Sequence, residues 1–154
     1  MRTRVRTFLT LVLFAVAASA ADDGPPREPK DTRLDAARAA IAQKDWARAQ
    51  ALLREALAAH ASNADAHNLY AYALRNAPQP DMDLVFRHYH EALRLDPRHR
   101  GAHEYIGEAY LMVGNLAKAK EHLQALDRIC RFGCKEYTDL RKAIEAYEKR
   151  QAAR

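Results

Sequence analysis

The sequence predicts an all-α protein: a solenoid of three helical hairpins closed by a C-terminal helix. Three observations lead there. Beyond residue 20 the chain is filled mostly by Ala, Leu, Arg, Lys, Gln and Glu, the residues that lose least on entering a helix. Strand-forming runs of Val, Ile and Thr are missing from the same stretch. Short segments also recur at spacings of 34 to 36 residues, the mark of stacked units.

The first 20 residues are read apart from the fold. Arg2, Arg4 and Arg6 precede an apolar run over 8–18, which ends in Ala18-Ser19-Ala20. Basic start, short apolar centre and small-x-small ending are the order of a secretory signal peptide. A bilayer span needs about 20 apolar residues, more than this run supplies. The mature chain is thus expected in the periplasm or outside the cell, cleaved near Ala20 and with no stable membrane anchor. Residues 21–30 carry Gly24, Pro25, Pro26 and Pro29 among charges and read as a flexible linker.

Charge gives little sign of a nucleic-acid partner. The whole chain holds 25 basic and 20 acidic residues, net +5. Three of the basic ones are the arginines of the export segment, so most of the remaining excess disappears with it. Nucleic-acid binding needs a concentrated basic face. The densest local group is Arg94, Arg98, His99 and Arg100, which reads as a solvated junction between helices.

The repeats start near residue 31. Asp45-Trp46-Ala47-Arg48-Ala49 returns seventy positions later as Asn115-Leu116-Ala117-Lys118-Ala119. Ala66-His67 returns as Ala102-His103, and Arg54-Glu55-Ala56-Leu57 as His90-Glu91-Ala92-Leu93, each thirty-six later. Three units follow, about 30–63, 64–99 and 100–133. In the third, helices are predicted over 102–113 and Leu116–Ile129. Gly114 accepts a left-handed helix end there, and Asn115 caps the next start. Lys44-Asp45 takes that place in the first unit. The middle turn is Ala77-Pro78-Gln79-Pro80-Asp81, with Asp81 as cap. Asp96-Pro97 stops the second helix of the middle unit; Ser62-Asn63 and Asp65 divide the first unit from the second.

These residues resemble the tetratricopeptide repeat. Ile106-Gly107 and Tyr110 match its opening-helix pattern, and Gly114, Ala119 and Leu123 continue it across the turn. Ala92 with Pro97 matches the end of a repeat; Tyr70-Ala71-Leu74 and Trp46-Ala49-Leu53-Ala56 are weaker copies. The resemblance covers about 30–133. In the first opening helix it departs from the pattern, with Ala36, Ala37 and Ala40 where larger residues are usual. It implies a right-handed α-solenoid whose small residues let backbones approach while Trp46, Tyr70, Tyr89 and Tyr110 fill the layers. It also implies an exposed last face. Tyr137, Leu140, Ile144 and Tyr147 recur at helical spacing and mark 134–151 as the cover.

The resemblance further implies a concave surface lined by the first helix of each unit. Transferred by register, it holds Arg38 and Ile41, then Asn68, Tyr72, Arg75 and Asn76, then Glu104, Glu108, Leu111 and Met112. This mixed polar and aromatic patch suits an extended peptide or protein segment, so the expected role is a binding scaffold without a cofactor. Catalysis is not expected: Ser19 and Ser62 are the only serines, and no Gly-rich phosphate loop is present.

Two features leave alternatives open. Cys130-Arg131-Phe132-Gly133-Cys134 suits a structural disulfide in an exported chain. The same pair is compatible with a redox couple or with a site for a soft metal such as copper, which would make this a periplasmic metal-handling or redox protein. The seven histidines lack HExxH or paired CxxC spacing. His67 and His103 occupy equivalent repeat positions, pointing to helix packing rather than a metal centre.

Overall fold

Seven helices make up the regular structure of residues 32–153, the part that the computed structural model describes. They are α1 (Thr32–Ala42), α2 (Trp46–Ala59), α3 (Ala64–Arg75), α4 (Met82–Leu95), α5 (Arg100–Met112), α6 (Leu116–Ile129) and α7 (Lys135–Ala152). No strand occurs among the described residues, and none of these helices is long and apolar enough to cross a membrane. The export segment and linker expected over 1–30 lie outside the described residues.

The chain writes its own helix starts. Asp45, Asn63, Asp81 and Asn115 each accept a hydrogen bond from the backbone N–H three residues on, at 3.0–3.1 Å. His99 does the same through Nδ1, to the N–H of Ala102 at 3.1 Å. Each such cap contributes about 1 kcal/mol. α5 consequently begins at Arg100, two residues before the predicted start.

Helix ends are equally local. After α5, the Gly114 N–H bonds to the Leu111 carbonyl and the Asn115 N–H to the Tyr110 carbonyl. After α1, Lys44 and Asp45 bond to Ile41 and Ala40 in the same way. Both are paired closing bonds around a left-handed residue. Gly114 holds that conformation at φ 79° and Lys44 at φ 58°.

Successive helices pair as antiparallel hairpins α1–α2, α3–α4 and α5–α6, and α7 lies on α5 and α6. Close approach rests on small residues, as predicted: Ala49, Ala71 and Ala119 are fully buried. Gly107 takes this furthest, since a Cβ there would stand 2.7 Å from both terminal methyls of Leu140. Tyr89, Leu53, Ile106, Leu126 and Leu140 fill the spaces between layers. Leu140 and Ile144 of α7 join Leu111, Ala119 and Leu126 in the terminal cluster, so the last repeat is covered. α1 packs despite its alanines, burying Leu34, Ala37 and Ala40.

Two hairpins share a further device. Nδ1 of His67 on α3 meets Nδ1 of His88 on α4 at 2.8 Å. Nδ1 of His103 on α5 meets Nδ1 of His122 on α6 at 2.9 Å. His67 Nε2 and His103 Nε2 lie 2.9 and 3.1 Å from the carbonyls of Ala61 and Pro97. A carbonyl only accepts, so each Nε2 carries the proton and each Nδ1 of these two rings is the acceptor. The N–H between the rings therefore belongs to His88 and to His122. The equivalence of His67 and His103 seen in the sequence is a repeated hydrogen-bonded packing unit.

Candidate functional site

The first helices touch in succession, α1 with α3, α3 with α5 and α5 with α7, whereas α2, α4 and α6 make no such contacts with one another. The array therefore curves toward α1, α3, α5 and α7, and these four helices form the inner face.

At its centre is a cluster around Arg75. The guanidinium is 8% exposed and bonds Glu108 Oε2 at 2.7 Å. It lies over the rings of Tyr72 and Tyr105, with Cζ 5.4 and 5.9 Å from their centroids. The two rings are 4.6 Å apart, and Trp46 meets Tyr72 edge-on at 6.1 Å. One cation thus satisfies a carboxylate from the next repeat while resting on two aromatic faces. Burial, then the nearby Glu104 carboxyl, push the Tyr105 phenol up to about 12. Arg75 Nε, Asn68 Oδ1 and Tyr89 Oη are buried without a hydrogen-bond partner.

A groove continues toward the C-terminus. Arg75, Glu108, Leu111, Met112, Ala143 and Arg150 border it, joining α3, α5 and α7. Met112 is 55% exposed there, and the Arg150 guanidinium leans over the Tyr147 ring at 6.0 Å. At the other end, Asp65 links three helices: it accepts from Arg38 at 2.9 Å and faces His99 Nε2 at 3.0 Å. The His99 hydrogen bond is the main reason that Asp65 sits below the usual carboxylate range, with Arg38 adding to it.

The expected groove residues are therefore on the inner helices, but not all as outward side chains. Tyr72 and Glu108 are half-buried and Asn76 is exposed; Asn68, Arg75, Glu104 and Leu111 are nearly closed off by neighbouring first helices. Asn76 also closes α3, its amide donating to the Tyr72 carbonyl at 2.8 Å. Ile41 packs on the core. Tyr105, Trp46, Ala143 and Arg150 complete the surface and were not marked by the sequence reading. By pattern Trp46 reads as layer filling and Tyr105 carries no signal of its own, because a helix's rotation decides which flank of a residue is left open.

Cys130 and Cys134 flank the turn between α6 and α7, with Cα atoms 5.7 Å apart and sulfurs within disulfide distance. Gly133 turns the chain between them at φ 82°. Among the described residues, no three His, Cys, Asp or Glu side chains converge as metal ligands.

A family model described as Tetratricopeptide repeat matches residues 34–81 and 87–133. Similar folds occur in two solved structures of SycD, the type III secretion translocator chaperone of Yersinia enterocolitica. One superposes with a TM-score of 0.68 at 15% identity, covering 79% of this chain and 85% of that one. The other, an alternative dimer, gives 0.67 at 15% identity over 79% and 92%. No curated protein sequence matches.

Proposed function

We propose that this chain, which belongs to the tetratricopeptide repeat family, is an exported, non-catalytic scaffold that holds an extended segment of a partner protein along α1, α3, α5 and α7. The observation that carries this reading is the prearranged Arg75 cluster beside an open groove. Arg75, Tyr72, Tyr105 and Glu108 are locked by one another, so little side-chain freedom remains to be lost when a ligand arrives. The exposed Met112 and the small Ala143 give that ligand an apolar bed. The protein whose fold it shares is itself a chaperone for translocators, which agrees with a groove that receives polypeptide.

Export rests on the basic start, apolar run and Ala18-Ser19-Ala20 ending. A disulfide between Cys130 and Cys134 fits an oxidising compartment and pins the start of α7, the helix that forms one wall of the groove. Together these features favour a component of a cell-envelope assembly.

Crosslinking and pull-down from intact cells tests the groove. Tyr72→Ala and Met112→Asp should lose the partner, while Arg87→Ala, exposed on α4 away from the inner face, should keep it. Equal recovery with all three variants would sink the assignment. Cell fractionation tests export; a full-length cytoplasmic product would contradict it.

A further inference from the structure

The groove beside the Arg75 cluster is open to solvent, and its floor and rim differ in chemistry. α5 and α7 are in tight contact where Gly107 meets Leu140. Just beyond that contact α7 carries only methyl groups, at Ala143 and Ala146. A recess of about 280 Å³ is left there, bordered by α5, α7 and Arg75 of α3. Sites for drug-sized ligands run from about 300 to 1,000 Å³, so this one has room for one or two side chains. Leu111, Met112, Ala143 and Ala146 supply its apolar lining. Met112 is 55% exposed, and its unbranched thioether adapts to guests of different shape.

The rest of the lining is Arg75, Glu108 and Arg150. Glu108 is taken by Arg75 at 2.7 Å. Along α7, Asp139 is held by Lys135, Glu145 faces Arg141 at 3.5 Å and Glu148 is held by Lys120 at 2.6 Å. Arg150 pairs with no carboxylate among the described residues. Its guanidinium leans over the Tyr147 ring at 6.0 Å, and its spacing from Ala146 and Ala143 keeps all three on one helix face. The recess thus combines an apolar bed with one unspent cation. A basic side chain would be repelled there. A purely apolar segment fills the bed and leaves the guanidinium unused. A segment with a carboxylate beside its apolar residue uses both, because the planar fork can take two carboxylate oxygens while it keeps its ring contact.

We propose that the recess between α5 and α7 takes an apolar side chain from an internal segment of the partner, and that Arg150 selects an aspartate or glutamate side chain within two positions of it. This deepens the groove reading and rests on it.

The test is selection of random heptapeptides displayed on phage against the folded chain. Synthetic copies blocked at both ends are then titrated in a calorimeter. Selected peptides should share an Asp or Glu close to a Leu, Met or Phe. Changing that acid to its amide should weaken binding about fivefold, the worth of one well-formed exposed ion pair, and high salt should shrink the difference. Arg150→Gln should erase the preference for acid over amide, and Arg150→Glu should turn it toward lysine. Arg150 is exposed in the last turn of α7, so both variants keep the fold, and the acid-to-amide comparison needs no variant at all. Ala146→Leu, which fills the recess from an exposed position, should weaken acid and amide peptides alike. Peptides that lack an acid, or lose nothing on amidation of its side chain, yet fail to bind Ala146→Leu would overturn the role of Arg150 and leave the groove standing. So would peptides lost in Tyr72→Ala but indifferent to Ala146→Leu, or binding only by peptides with a free C-terminus. Peptides indifferent to both variants, or no selection at all, would overturn both readings.

Discussion

Lys44 occupies the left-handed position that Gly114 occupies seventy residues later, at φ 58° against 79°. The two turns close with the same pair of backbone hydrogen bonds, so the lysine bears a strain that the glycine escapes. A non-glycine residue there costs about 1 kcal/mol. Lys44→Gly should raise the melting temperature by roughly 4 °C, and Gly114→Lys should lower it similarly. Thermal unfolding followed by circular dichroism checks both; opposite signs would refute the equivalence.

Gly107 sets the seat of α7. An added methyl would collide with Leu140, and overpacking of this kind costs about 1–3 kcal/mol. Leu140→Ala alone leaves a cavity worth about 2–5 kcal/mol. The double variant Gly107→Ala/Leu140→Ala should lose clearly less than the two single losses added together. Additive losses in urea unfolding would mean that the two sites do not share this contact.

The paired histidines make stability depend on acidity. Burial first, then the paired ring, hold His88 and His122 near 4, below the usual 6.5. Around His88, Arg87 lowers and Glu91 raises this value; around His122, His90 and Lys118 lower it and Glu121 raises it. Between pH 6.5 and 4 the unfolded chain thus binds more protons than the folded one. The stabilisation is complete above about 6.5 and is lost as pH falls toward 4. Solvent screens these half-exposed rings, so the melting temperature should drop by roughly 5 °C from pH 7.5 to 5. Asn at 88 and 122 can still donate to Nδ1 of the partner ring without titrating. His88→Asn/His122→Asn should flatten the pH profile; an unchanged slope would assign it to other groups.

Reduction tests the Cys130–Cys134 bridge. Closing so small a loop constrains the unfolded chain by about 2 kcal/mol. Reduced protein should melt lower, with faster hydrogen exchange confined to α7 and the turn before it. Two titratable thiols in protein purified under non-reducing conditions would contradict the bridge.

The repeat and its caps were legible because they depend on local chemistry. Asp45, Asn63, Asp81 and Asn115 could be read as helix boundaries from residue type and spacing, and Leu116–Ile129 appears with both ends as expected. The inner face was legible only by register. Asn68 and Arg75 sit on the expected helix, but their burial follows from how closely α5 approaches, which sequence does not state. Tyr105 escaped because it follows Glu104 by one residue, and a small rotation of α5 decides which of the two meets the Tyr72 ring. The histidine pairs were half visible: His67 and His103 were matched, whereas His88 and His122, thirty-four apart, were not.

The outer helices do not touch one another, yet each of them spans a joint: α2 lies against α3, α4 against α5 and α6 against α7 as well as against its own hairpin partner. Any change of bend has to shear these three joints. The curvature that a guest meets is therefore built into the unoccupied scaffold, and the guest must conform to it.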